Sequence, residues 1–214
     1  MRQILVKHEY IVFNAIKEYL NKNRVFDMKK ILPYINSKFA KSSINVSTEG
    51  IHKIIISLVK KNIVVEGTKL TKKDVLIYSR RKKIYDYIKE NPGKYVNKIA
   101  KDLKMCNIVV FWHLSVLEKF SFLKKMTIDN HVVYFDSDID LKDTKKLYLT
   151  SKEKCKKIMN YLKINDFGIT RNQLSRDLKI HNNTIRKYIK SLEEFNIISK
   201  EKRSNKILYF FEEN

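Results

Sequence analysis

Apolar residues recur along the chain at the i, i+4, i+7 spacing of a helix with one buried face. Ile185, Ile189 and Leu192 show it, as do Val110, Leu114 and Leu117, and again Ile51, Ile55 and Leu58. Each set follows shorter helical patterns: Ile158, Tyr161 and Leu162 then Leu174 and Leu178; Ile84, Tyr87 and Ile88 then Ile99 and Leu103; Ile11–Leu20 then Met28–Ile35. After two of the sets the period shortens to that of strands. Ile197–Lys200 and Ile207–Phe210 flank the polar tip Arg203-Ser204-Asn205, and Phe122–Ile128 and His131–Phe135 flank Asp129-Asn130, which predicts two hairpins. Behind the first set, Val64–Gly67 offers at most one strand.

A shift of 75 positions lays residues 99–135 on 174–210. Asp102-Leu103-Lys104 then meets Asp177-Leu178-Lys179, Leu117-Glu118 meets Leu192-Glu193, and Tyr134-Phe135 meets Tyr209-Phe210. Residues Gly50–Ile63 align more loosely with Thr184–Ile197. The pattern predicts a mainly α chain with small β hairpins, in three tandem units at 1–76, 77–148 and 149–214. Local signals place the joints. Thr150 with Glu153, and Thr170 with Gln173, read as capping boxes; Asn91-Pro92-Gly93 stops a helix, and Thr71–Asp74 opens one. Ser37–Asn45 reads as a long polar turn, and the acidic run Asp136–Asp143 as a solvated joint between the last two units.

The 214 residues carry 45 Lys and Arg against 23 Asp and Glu, a net charge of +22. Such a surplus is self-repelling without a polyanion, so nucleic acid, double-stranded DNA above all, is the expected partner. Divided at the predicted joints, it leaves +9, +6 and +7, so totals do not choose among the units. The four glycines form no phosphate-cradling loop, and His8, His52, His113, His131 and His181 show no metal-ligand spacing with Cys106 or Cys155. No catalytic constellation, metal site or cofactor site is expected. The first eight residues hold too short an apolar stretch for an export signal, and no run reaches the length of a membrane span, so a cytoplasmic protein is expected.

Helix, helix, turn, helix and hairpin is the winged helix-turn-helix plan. Ile99-Ala100-Lys101-Asp102-Leu103, followed by Val110-Phe111-Trp112-His113-Leu114-Ser115-Val116-Leu117-Glu118-Lys119-Phe120, resembles the winged helix-turn-helix transcription regulators of archaea and bacteria, of the ArsR/MarR-like kind. Leu174–Leu178 and Thr184–Phe195 repeat the pattern. Where that family often has Gly after the third helix, this chain has Ser121 and Asn196. Asn accepts the left-handed conformation there; Ser does so less comfortably. The resemblance implies that the third helix enters the major groove and the hairpin touches backbone or minor groove.

On that plan the last unit turns Asn183, Thr184, Arg186, Lys187 and Lys190 outward on its third helix, with Lys200, Lys202, Arg203 and Lys206 on its wing. These side chains suit base edges and phosphates. The first unit adds His52 and Lys53, with Glu49 opposing phosphate near the helix start. The middle unit turns out Ile108, Val109, Phe111 and Trp112 instead, a face suited to a second copy of the chain or another protein, or to stacking on bases. Two functions are therefore expected: a DNA-binding transcriptional regulator, or a tandem winged-helix assembly module resembling parts of ESCRT-II or of RNA polymerase-associated factors.

Overall fold

The computed structural model describes residues 7–42 and 44–212, so the start of the N-terminal stretch weighed above as an export signal lies outside the described residues. The chain is mainly helical with small hairpins, and packs as two compact units. One comprises residues 1–87 with 96–125; the other comprises 88–95 with 126–214. This division reflects packing, a different property from the sequence joints at 76/77 and 148/149. Among the described residues no helix is long and apolar enough to cross a membrane.

In the first unit α1 (Lys7–Lys22), α2 (Met28–Ala40) and α3 (Thr48–Lys60) pack pairwise. Phe13, Ile16, Phe26, Ile31, Ile35, Ile51, Ile55 and Leu58 are sealed in their core. Asp27 caps α2 by accepting from the Lys29 amide at 2.9 Å, and Ser47 caps α3 through the Gly50 amide at 3.1 Å. The long turn expected from Ser37 is shorter than predicted, because α2 continues to Ala40. Phe39, one helical turn beyond Ile35, is buried beside it and carries the polar Asn36, Ser37 and Lys38 along. Val64 and Thr71 make an isolated bridge in place of a wing. Thr71 and Asp74 close a capping box on the single turn α4 (Lys72–Val75). The unit also contains α5 (Ser79–Glu90) as far as Tyr87, α6 (Val96–Leu103), α7 (Asn107–Lys119) and the start of β1 (Leu123–Ile128).

The second unit holds the rest of β1 and its partner β2 (His131–Asp136), then α8 (Leu141–Thr150), α9 (Glu153–Ile164), α10 (Arg171–Leu178), α11 (Asn182–Glu194) and the antiparallel pair β3 (Ile198–Arg203) and β4 (Lys206–Phe211). One expectation fails here and another holds in part. Thr150 does not cap α9: it ends α8, and its hydroxyl donates back to the Lys146 carbonyl at 3.0 Å. The acidic run is solvated at Asp138, Asp140 and Asp143, but its first residue is buried and its end belongs to α8. Asp136 is buried and accepts from the Asp138 amide, Asp140 caps α8, and Asp143 lies in the first helical turn, where the helix dipole favours an anion. The burial of Thr144, Tyr148 and Leu149 supplies the apolar drive for α8.

The 75-residue shift reappears in the backbone. Positive φ occurs at Gly93 and Gly168 (78° and 81°), Lys104 and Lys179 (54° and 52°), Ser121 and Asn196 (52° and 53°), and Asp129 and Ser204 (50° and 53°). The isolated bridges Lys94–Tyr134 and Ile169–Tyr209 obey the same shift. Asn62, which the looser alignment places on Asn196, is also left-handed, with φ 51°. Ser121 thus adopts the turn conformation despite its Cβ.

Candidate nucleic-acid interface

The helix-turn-helix of the last predicted unit is set by local chemistry. Thr170 and Gln173 form the expected reciprocal cap on α10, and Lys179 turns the chain in the left-handed conformation. His181 caps α11, its Nδ1 accepting from the Asn183 amide at 3.2 Å. Ile185, Ile189 and Leu192 are buried against Cys155, Ile158, Leu162 and Leu174. Burial pushes the Cys155 thiol up to about 12, which leaves it an inert core residue.

With those three inward, Asn183, Arg186, Lys187 and Lys190 are exposed and Thr184 is half-buried. On the hairpin Lys200, Lys202, Arg203 and Lys206 are all exposed, and Arg203 faces Lys206 across the ladder at the tip. Their electrostatic states differ. Lys200 pairs with Glu193 at 3.0 Å and Arg203 with Glu201 at 2.9 Å, and the second contact holds the Glu201 carboxyl below its usual range. No ion-pair or hydrogen-bond partner is described for the side chains of Arg186, Lys187, Lys190, Lys202 and Lys206. Lys187 lies within electrostatic reach of Asp129, which Lys152 holds at 2.6 Å.

One contact escaped the sequence. The Asn182 side-chain amide donates to the Asn172 oxygen at 2.8 Å, tying the start of α11 to the start of α10. Its signal lay in the repeat, because Asn97 and Asn107 stand 75 residues earlier and make the same bond at 3.1 Å.

His52 and Lys53 are exposed on α3, but Lys53 pairs with Glu49 at 2.6 Å one turn away. On α7, Ile108, Phe111 and Trp112 are 79%, 58% and 56% exposed, and Val109 is half-buried. His113 is buried beside Tyr78 and Trp112. Among the described residues no group of three His, Cys, Asp or Glu is placed to hold a metal ion.

Residues 155–212, from α9 to the end of β4, match the family described as the HTH domain. The chain is also similar to an uncharacterized HTH-type transcriptional regulator of Methanocaldococcus jannaschii, 31% identical over 145 residues. That alignment covers 68% of this chain and 36% of the relative, so the chain spans little more than a third of the protein it matches. Three helices and a two-stranded hairpin, α9 to α11 with β3 and β4, are the build over which residues 155–212 match the HTH domain.

Proposed function

We propose that the protein is a DNA-binding transcriptional regulator that works in the cytoplasm, with α11 in the major groove of duplex DNA and the β3–β4 wing on the backbone beside it. The observation that carries this reading is the set of exposed cations without ion-pair partners on one helix-turn-helix domain: Arg186, Lys187 and Lys190 on α11, Lys202 and Lys206 on the wing. A free cation releases counterions when it meets a phosphate, whereas one already held by Glu gains less. Thr184 and Asn183 at the start of α11 have the hydroxyl and amide groups that read base edges, and the latch between Asn172 and Asn182 fixes that end. The 13 residues of α11 span about 20 Å, enough to lie along a groove about 12 Å wide.

We place this domain at the end of three winged-helix units, 1–76, 77–148 and 149–214, of the ArsR/MarR-like kind. The shared 75-residue spacing of left-handed residues and of the two Asn–Asn bonds supports the last two as copies. The first unit is the weaker reader, with His52 beside a neutralised Lys53. The α7 face is a protein contact surface, since the exposed side chains of Ile108, Phe111 and Trp112 are apolar and offer base edges little hydrogen bonding. The test is duplex-DNA binding followed by anisotropy: Lys187→Glu weakens it roughly tenfold or more, as expected for a cation turned against phosphate. Unchanged affinity contradicts the reading.

A further inference from the structure

The apolar α7 face does not stand alone. Tyr78 is 48% exposed and Ile77 is 76% exposed, and Arg81 lies between two of the rings, 5.6 Å from the Tyr78 centroid and 5.4 Å from that of Trp112. Arg81 is only 3% exposed, donates to the Val75 carbonyl at 2.8 Å, and has no hydrogen-bond partner for its Nε. His113 Nδ1, equally buried, has none either.

A buried guanidinium is ordinarily matched by a carboxylate. Among the described residues none is paired with Arg81. The acids on the neighbouring helices are engaged elsewhere: Asp74 in the α4 cap, Asp86 with Lys82 at 2.6 Å, and Glu118 with Lys125 at 3.0 Å. Arg80 and Lys83 are exposed without a described partner, adding positive charge to this face. The same charge reaches His113, which burial, Arg81 and Arg80 hold below the ordinary histidine range.

We propose that the surface formed by Tyr78, Ile108, Phe111 and Trp112 docks a segment of another protein that is both apolar and acidic, its carboxylates set against the exposed Arg80, with Arg81 adding charge from behind the rings. This rests on the reading of α7 as a protein contact and adds the chemistry of the partner. Charge complementarity selects the occupant. A second copy meeting this face with the same face brings like charge towards like and supplies no carboxylate for Arg80. A nucleic-acid strand satisfies the cations but leaves Ile77 and Ile108 against phosphate and sugar. An acidic segment with Leu or Phe at helical spacing meets both demands.

Trp112 is the chain's single tryptophan, so its fluorescence reports on the surface directly. The probes are synthetic peptides of about 16 residues with apolar anchors at i, i+3, i+4 and i+7, carrying Glu at the intervening positions or Lys in their place. A poly-dT strand and dilution of the protein alone complete the series. The Glu peptide is expected to shift Trp112 emission to the blue and to bind at least about tenfold more tightly than the Lys peptide. Arg80→Glu or Phe111→Ser, both at exposed positions, should weaken it about tenfold, while Lys190→Glu on α11 leaves it unchanged. No response to the Glu peptide, or equal binding of both peptides, overturns the acidic partner. A stronger response to poly-dT, or a shift on concentrating the protein alone, also overturns it. Equal binding still leaves α7 a protein surface, whereas a preference for poly-dT removes that reading as well.

Discussion

The Asn182 amide donates to the Asn172 oxygen at 2.8 Å, joining the first turns of α10 and α11 at the end of the helix-turn-helix that carries the free cations. A side-chain hydrogen bond at an exposed site contributes about 0.5–1 kcal/mol. Asn172→Ala is therefore expected to cost no more than that in urea unfolding. Because it frees the start of α11, it should also weaken duplex binding about three- to tenfold. Loss of stability without loss of affinity would make the latch purely structural.

Two threonines in similar sequence settings should behave differently. Thr170 closes a capping box with Gln173, so Thr170→Ala should lower stability by about 1 kcal/mol. The Thr150 hydroxyl returns only to carbonyls inside α8, so Thr150→Ala should cost less than about 0.5 kcal/mol. Chemical denaturation of the two variants side by side decides the matter.

The threonine pair also shows where sequence pattern is informative and where it stops. The buried triplet Ile185, Ile189 and Leu192 was legible because each is dictated by a single face of its own helix. The outward position of Arg186 and Lys187 follows from that face alone. Thr150 matched a cap just as well as Thr170 did, but α8 extended over it, driven by the burial of Tyr148 and Leu149. That competition between neighbouring helices has no local signature. Arg81 was invisible for a related reason: its place between Tyr78 and Trp112 joins residues about thirty positions apart. Ion pairing of Lys53, Lys200 and Arg203 likewise depends on which acid comes within reach, so composition overstated the free charge.

Gly168 has φ 81°, and a Cβ placed there would lie 2.4 Å from the end of the Phe210 ring and 3.0 Å from Leu208 Cβ. Left-handed strain and the displaced ring both act against a side chain. Gly168→Ala is expected to destabilise the last domain by about 2–4 kcal/mol, read from its thermal or urea transition. A variant as stable as the parent would show that the α9–α10 loop sits elsewhere.

His113 supplies a pH dependence with a definite sign. Its native imidazole, buried beside Tyr78 and Trp112 and facing Arg80 and Arg81, takes up a proton less readily than the unfolded chain does near 6.5. The unfolded state therefore binds more protons on acidification, and stability falls as the pH drops below that value. The Tm of the full chain should decline from about pH 7.5 to 5.5, and His113→Gln should flatten the decline. An identical slope in the variant contradicts this assignment.

On the proposed function, free cations on α11 and the wing bind the DNA backbone while Thr184 and Asn183 face the bases. Five such cations have no described partner, and each phosphate neutralised contributes a slope of about −0.9 to log K against log salt. The decisive measurement is duplex affinity across a salt series for the parent chain and for Arg186→Glu with Lys187→Glu. The expected parent slope is about −4.5 and the variant slope smaller by about two, with a large loss of affinity. Equal slopes and equal affinities in the two proteins would contradict it.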